Sequence, residues 1–132
     1  MVVLREAHIS QMVKHARSEA PLEACGIVAG KEGVVERVFP AVNIEESPLR
    51  YKMDPQEQLR IFMEIEEQGW EILGIYHSHP NGGACPSAVD VKLAYYPDCL
   101  YFIISLARGS PEVRAFRIIE GEIGEEEVAV AS

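Results

Sequence analysis

The hydrophobic positions of the chain follow two different spacings, which together predict a mixed α/β fold. Continuous or alternating apolar runs typical of strands occur at residues 2–4, 25–29, 34–42, 72–76, 100–106 and 113–119. Helical spacing occurs at residues 9–20, before Pro21, and at residues 54–69, which end on Gly69. This order of elements predicts an α/β sandwich with a mixed central sheet flanked by helices.

Several signals mark the start of the second helix. Asp54 can cap it, Pro55 suits its first position, and Glu57 completes a capping box. The polar and irregular residues 43–50 before it predict a mobile loop. Residues 51–53 are expected to form a short strand between this loop and the helix.

Length and charge limit what the chain can be. Its 132 residues, 48% of them hydrophobic, predict one globular domain over residues 1–132. The net charge is −9 and there is no basic cluster, so no nucleic-acid partner is expected. No apolar stretch is long enough to cross a membrane. Residues 120–132 contain five Glu and no Lys or Arg, which predicts an acidic, flexible C-terminal tail.

The cysteines indicate the redox environment. Cys25, Cys85 and Cys99 form no C-x-x-C pair, so they are expected to be free thiols in a reducing compartment. The first ten residues contain charges and a histidine and no apolar core of a signal peptide. A cytoplasmic protein is therefore expected.

The candidate chemistry lies where the strand 72–76 runs into His77-Ser78-His79. Side chains two residues apart on a strand point to the same side, so His77 and His79 project together. After a Gly-rich loop at residues 81–85, Ser87 and Asp90 are three residues apart and share a face of a short helix. Two imidazoles and one carboxylate suit zinc with an open fourth position.

Each part of this pattern also has a simpler interpretation. Ser87 and Asp90 form an S-x-x-D capping pattern, which can itself position the carboxylate. Ser78 is expected to pack or to bond the backbone. Cys85 is expected to be a free loop thiol, neither nucleophile nor ligand. Trp70 and the Tyr95-Tyr96 pair are expected to be packing residues. The zinc-binding patterns H-E-x-x-H, and H-x-E with P-C-x-x-C, are absent.

The spacing His-Ser-His, seven residues, Ser, two residues, Asp resembles the signature of the JAMM metallopeptidases, also called MPN-plus or JAB. The segment Glu23-Ala24-Cys25-Gly26 is similar to the family's Glu-x-Cys-Gly, although the family often has Cys where this chain has Ala24. The resemblance spans residues 9–119. The Tyr-x-Met-Asp-Pro segment from Tyr51 is similar to compact prokaryotic members linked to sulfur-carrier proteins. The implied fold is the cytidine-deaminase-like α/β sandwich of this family.

The resemblance also assigns roles to individual residues. It implies one zinc ion per chain, held by His77, His79 and Asp90, that lowers the pKa of its water to about 7. It makes Glu23 the residue that takes a proton from this water and passes it to the leaving amine. It makes Ser87 the donor that stabilises the oxyanion.

The implied activity is hydrolysis of an amide bond at the C-terminus of a ubiquitin-like or sulfur-carrier protein. Two versions stay open at this point: release of cysteine or a short extension, and isopeptidase cleavage from lysine. The loops at residues 43–50 and 81–85 are the expected walls of the channel for the tail. The alternatives are a non-catalytic MPN-type scaffold and a subunit that a partner activates. A homodimer is compatible with the hydrolase and with both alternatives.

Overall fold

The computed structural model describes residues 1–131 and contains eight strands and three helices in that range. The strands are β1 (Val2–Arg5), β2 (Cys25–Lys31), β3 (Val34–Ala41), β4 (Glu71–His79), β5 (Leu100–Ser105), β6 (Glu112–Ile119), β7 (Glu122–Glu126) and β8 (Val128–Ala131). The helices are α1 (Glu6–Glu19), α2 (Pro55–Glu67) and α3 (Ala88–Lys92). None of these helices is long and apolar enough to cross a membrane.

All eight strands belong to one mixed sheet, in the order β7-β6-β5-β4-β2-β3-β1-β8. The pairs β4–β5, β1–β3 and β1–β8 are parallel, and the other pairs are antiparallel. Strand β4 therefore lies in the middle of the sheet, covered on both sides by neighbouring strands. The predicted α/β architecture with a mixed sheet is confirmed.

The sheet has one hydrophobic core on each face, and strand β4 contributes residues to both. Tyr76 belongs to the core that contains Met12 and Ala16 of α1. Ile75 belongs to the core that contains Ile61 and Ile65 of α2. Because side chains alternate along a strand, the residues that follow Ile75 by two and four positions share the face that α2 covers. Those residues are His77 and His79.

The C-terminal segment corrects one expectation. Residues 122–131 form β7 and β8, so the prediction of a flexible tail over residues 120–132 is wrong for this part of it; Ser132 lies outside the described residues. Glu120 and Gly121 both have positive φ, +51° and +82°, as in the two-residue turn of a tight β-hairpin. The charges are accommodated at the surface, since Glu125 pairs with Arg114 and Glu126 with the N-terminal amine.

The same segment shows that the sheet is rolled. Strands β7 and β8 lie at opposite edges of the sheet, and only Glu127 separates them in sequence. The Glu127 carbonyl accepts a hydrogen bond from Val2 N at 3.0 Å as β8 begins its pairing with β1. The two edges must therefore approach each other at this corner.

The start of α2 also differs from expectation. Asp54 caps the helix by accepting from Gln56 N at 3.2 Å, as predicted. Glu57 does not complete a capping box, because its carboxylate accepts from Val42 N at 2.8 Å instead. Residues 51–53 form no strand; they contribute one isolated bridge, between Met53 and Asn43. A long-range backbone partner thus replaces the local one that the sequence suggested for Glu57.

Candidate metal centre

Three ligand atoms converge at the end of β4. His77 Nε2 lies 3.2 Å from His79 Nε2 and 3.1 Å from Asp90 Oδ2, and His79 Nε2 lies 2.9 Å from the same carboxylate oxygen. All three side chains are buried. The strand supplies both imidazoles, and α3 supplies the carboxylate from the first turn after Ser87.

The dimensions of this triangle fit one zinc ion. Ligands bound tetrahedrally at about 2.0 Å are separated from one another by roughly 3.3 Å. The observed separations of 2.9–3.2 Å are close to this value. The donor set, two imidazoles and one carboxylate, leaves one position open, as in catalytic zinc sites. Within the described residues, one ligand atom from each of these three side chains lies within 4.8 Å of the other two, close enough to hold a metal ion.

The protonation of His79 supports metal binding. His79 Nδ1 lies 2.8 Å from the Gly83 carbonyl, which can only accept, so Nδ1 carries a proton. A neutral His79 then directs the lone pair of Nε2 toward Asp90. Burial lowers the pKa of His79, but the bonds to Asp90 and Gly83 outweigh burial and raise it. The raised pKa refers to a second proton, on Nε2, which would make the imidazole a cation. A metal cation between His79 and Asp90 can take the place of this proton.

His77 is held differently. The tyrosine ring of Tyr51 stacks on its imidazole, with centroids 4.7 Å apart and an interplanar angle of 20°. His77 Nδ1 is buried and has no hydrogen-bond partner within residues 1–131. Burial lowers the pKa of His77, so its imidazole stays neutral, the form that binds a metal.

Asp90 and Ser87 fix each other at the start of α3. Ser87 Oγ accepts from Asp90 N at 3.1 Å, and Ser87 N donates to Asp90 Oδ2 at 2.9 Å. The capping interpretation of this pair and the ligand interpretation are therefore compatible. Although burial alone would raise the pKa of Asp90, the bonds from His77 and His79 hold it far below its ordinary value. Asp90 is a carboxylate.

Glu23 lies two residues before the start of β2, whose first residue, Cys25, pairs with His77. Ser78 joins the two strands here, since its Oγ accepts from Ala24 N at 2.7 Å and its amide donates to the Ala24 carbonyl. The prediction that Ser78 bonds the backbone is confirmed. This pairing carries Glu23 to the same end of the sheet as the two imidazoles.

The environment of the Glu23 carboxylate is unusual. The residue is 3% exposed, and its Oε1 has no hydrogen-bond partner among the residues described. Burial, with the charge of Asp90 adding to it, raises the pKa of Glu23 to about 8. A buried carboxyl group with an unsatisfied oxygen beside a set of metal ligands is typical of a proton-transfer residue.

Gly26 completes the Glu-x-Cys-Gly segment for a steric reason. A Cβ on Gly26 would lie 2.2 Å from the Tyr76 ring and 2.5 Å from the Phe39 carbonyl. The aromatic ring therefore crosses the backbone of β2 where only glycine leaves room. This packing keeps β2 close to β4 next to Glu23.

Two cavities flank the centre. The first has a volume of about 350 Å³ and contains Glu23, His79 and Ser87, with apolar walls from Leu49 and Pro80. The second, of about 410 Å³, lies beyond Tyr51. The loop 43–50 contributes to both, as the sequence predicted for a channel wall, and residues 81–82 contribute to the first.

Other residues that the sequence singled out lie outside the centre. Cys85 is an exposed free thiol, with Sγ 3.4 Å from Arg114 Nη1, in agreement with the prediction of a free loop thiol. Tyr95 is 70% exposed and Tyr96 is 41% exposed, and both line the second cavity. The prediction that these tyrosines are packing residues is wrong, because α3 ends before them and leaves their rings outside the core. Trp70 packs at the margin of the core beside α2.

The structure thus brings together all five residues that the sequence proposed, His77, His79, Asp90, Glu23 and Ser87. Two further residues at the site were missed. Tyr51 stacks on the candidate ligand His77, and Asn43 bonds the Glu23 backbone. The Tyr-x-Met-Asp-Pro segment pointed to Tyr51, whereas no local sequence pattern pointed to Asn43.

A model of the prokaryotic homologs of the JAB domain matches residues 5–119. The chain belongs to this family. Two curated relatives are both 41% identical to it. One, named CysO-cysteine peptidase, from Mycobacterium tuberculosis, aligns over 98% of this chain and 91% of its own length. The other, named probable TtuB-protein conjugate cleaving protease, from Thermus thermophilus, aligns over 82% and 70%.

Solved structures agree with this membership. The solution structure of a protein from Desulfitobacterium hafniense matches with a TM-score of 0.92 and 40% identity, over 99% of this chain and 93% of that one. A JAB1/MPN domain protein from Archaeoglobus fulgidus has the same fold, with a TM-score of 0.66 and 20% identity over the whole of both chains. The predicted JAMM resemblance is confirmed, and this JAB-family chain is a hydrolase.

Proposed function

We propose that this JAB-family chain is a zinc-dependent peptidase that cleaves an amide bond at the C-terminal tail of a sulfur-carrier or ubiquitin-like protein. The observation that carries the proposal is the placement of His77, His79 and Asp90 around one ion-sized position, with Glu23 and Ser87 on the same cavity. One zinc ion per chain is proposed there. When bound, zinc supplies a Lewis acid that polarises a carbonyl and makes water more acidic.

Glu23 is the proposed base. Its carboxyl group is buried and its Oε1 has no hydrogen-bond partner in residues 1–131, so it can bond a water molecule in the cavity. A bound cation lowers the pKa of a neighbouring carboxyl group, which opposes the effect of burial and leaves Glu23 able to accept a proton. The protonated Glu23 then donates to the amine that leaves, so the residue finishes the cycle as it began.

Ser87 is the proposed donor to the carbonyl oxygen of the bond that breaks. Its Oγ already accepts from Asp90 N, which fixes the oxygen and leaves the hydroxyl hydrogen free to donate. Ser87 is exposed on the cavity that contains Glu23. A donor held in place before the reaction stabilises charge that develops on the oxygen without a cost of reorganisation.

The proposed substrate follows from the relatives and from the shape of the site. The relatives' names describe a peptidase that acts on a CysO-cysteine bond and a protease that cleaves TtuB-protein conjugates. The cavity at Glu23 is bounded by Leu49, Pro48 and Pro80, which suits an extended tail of small residues more than a folded segment. The relative named CysO-cysteine peptidase is aligned over 91% of its own length, more than the relative that cleaves conjugates. Release of cysteine is therefore the version we favour.

Carriers with different C-terminal extensions test this proposal. Zinc-loaded protein is incubated with a carrier ending in Gly-Gly-Cys, with a carrier joined to a lysine side chain, and with the unextended carrier. Mass spectrometry then identifies the fragments. Release of free cysteine supports the favoured version, and release from lysine supports the isopeptidase version. No cleavage of either, with zinc bound, contradicts the proposal and favours a scaffold or a partner-activated subunit.

The cellular setting is part of the proposal. We place the protein in the cytoplasm, since its three cysteines are free thiols.

The oligomeric state is a separate question. Light scattering on the sample used for cleavage distinguishes a monomer from a homodimer.

A further inference from the structure

Asn43 is a buried side chain whose amide bonds four backbone groups. Its Nδ2 donates to the carbonyl oxygens of Glu23 and Arg50, each at 3.0 Å. Its Oδ1 accepts from Glu45 N at 3.0 Å and Lys52 N at 3.1 Å. The residue is 8% exposed. Both donor hydrogens and both acceptor positions of the amide are therefore used; only glutamine has the same groups, and its side chain is one methylene longer.

These bonds connect the proposed base to the loop beside it. The Glu23 peptide is held on both sides, since its carbonyl accepts from Asn43 and its amide donates to the Ser47 carbonyl at 2.9 Å. The returning arm of the same loop is fixed to Asn43 through Arg50 and Lys52. Tyr51 lies between these two residues, and its ring stacks on His77. Asn43 thus joins the backbone of Glu23 to the residue that covers a metal ligand.

This connection matters because Oε1 of the Glu23 carboxyl group lacks a bond from the described residues that would fix it. Glu23 Oε1 has no protein partner within residues 1–131, so the main chain must set where the carboxyl group points. We propose that Asn43 is a positioning residue that orients Glu23 for proton transfer. This inference rests on the proposed function of Glu23 as the base.

The substitution Asn43→Asp tests the inference with little change in size. The carboxylate retains the two acceptor contacts, to the amides of Glu45 and Lys52, and loses both donations, including the one to the Glu23 carbonyl. Because a displacement of about 1 Å at a reacting group can cost about 100-fold in rate, we expect kcat to fall about 10- to 100-fold. Zinc affinity should fall much less than kcat, because Asn43 contacts none of the three ligands and the aspartate keeps the bond from Lys52 N beside Tyr51.

The matched control is Gln11→Glu. Gln11 is exposed on α1 and donates from its side-chain amide to the Val38 carbonyl at 3.4 Å, so this change also converts an amide to an acid and removes a donor to a backbone carbonyl. We expect its kcat to match the wild type. A kcat for zinc-loaded, folded Asn43→Asp within about twofold of this control would overturn the inference. So would a zinc affinity that falls in parallel with kcat, because Asn43 would then act on the ligands.

A second measurement keeps the inference testable if Asn43→Asp does not fold. In the wild type, the amides of Glu45 and Lys52 should exchange with solvent as slowly as those of β3, because Asn43 Oδ1 accepts from both. Exchange at the rate of an open loop would overturn the inference. Failure of the proposed function is a separate outcome: the wild type itself would then cleave none of the carriers, whatever the state of Asn43.

Discussion

Tyr51 covers the proposed metal ligand His77 with a ring stacked at 4.7 Å, at the margin of a loop that has no regular secondary structure. His77 Nδ1 has no hydrogen-bond partner among the described residues, so this contact replaces the bond that usually orients a metal-binding histidine. The stacked ring limits rotation of the imidazole and keeps Nε2 directed toward His79 and Asp90.

Removal of that ring should weaken metal binding. We expect Tyr51→Ala to reduce zinc affinity about 10- to 100-fold, the usual effect of losing a group that orients a ligand. Tyr51→Phe retains the ring and should bind zinc as the wild type does. Competition with a chromophoric chelator measures both. Equal affinities for the alanine and phenylalanine variants would show that stacking does not orient His77.

Glu23→Gln should separate metal binding from catalysis. The amide preserves the size of the side chain and cannot accept a proton, so turnover should fall by about 100- to 10,000-fold. Bound zinc should stay near one per chain, because Glu23 is not one of the three ligands. Parallel metal analysis and cleavage assays test this. Turnover within about tenfold of the wild type would exclude Glu23 as the base.

Ser87→Ala should affect two properties through different contacts. Loss of the cap to Asp90 N should lower the free energy of unfolding by about 1 kcal/mol. Loss of the proposed oxyanion donor should lower kcat by about 100- to 1,000-fold. Ser87→Thr retains a hydroxyl and provides the control. Denaturant unfolding and kinetics distinguish the effects; a normal kcat with reduced stability would leave Ser87 as a cap alone.

The pKa of Glu23 predicts how the stability of metal-free protein depends on pH. Burial, followed by the charge of Asp90, raises this pKa from 4.5 to about 8. Between these values the folded state binds a proton that the unfolded chain has released. The free energy of unfolding should therefore decrease as pH rises through this range, by up to about 1.4 kcal/mol per pH unit.

Denaturant unfolding of the metal-free wild type and Glu23→Gln, measured at several pH values between 5 and 8, isolates this contribution. The glutamine variant has no such proton, so its stability relative to the wild type should increase with pH. His77, His79 and Asp90 are present in both proteins, so their contributions to the pH dependence largely cancel in the difference between the two. A difference that does not change with pH would contradict a raised pKa for Glu23.

The sequence was sufficient to predict the parts of the site that depend on local spacing. His77 and His79 share a face because a strand repeats every two residues, and Asp90 follows Ser87 by one helical turn. Both relationships are properties of a single element. The convergence of the two elements was predicted from the Gly-rich loop between them and from the family resemblance, and the observed separations of 2.9–3.2 Å agree with it.

The features that the sequence did not predict depend on contacts between distant segments. Asn43 satisfies its amide with backbone groups of Glu23 and of the loop that follows, and no spacing rule identifies such partners. Glu57 bonds Val42 for the same reason. The last two strands were missed because five glutamates suggested solvation, and Glu120-Gly121 is not one of the residue pairs that strongly predict a tight hairpin turn, although both residues adopt its positive φ.

The metal content of the purified protein tests the central claim most directly. Elemental analysis after zinc loading and exhaustive dialysis should give about one zinc per chain for the wild type and for Glu23→Gln. Asp90→Ala should give a value near zero, because it removes the carboxylate oxygen that lies within 3.1 Å of both imidazole nitrogens. Absence of zinc from the wild type, or equal zinc in Asp90→Ala, would contradict the account.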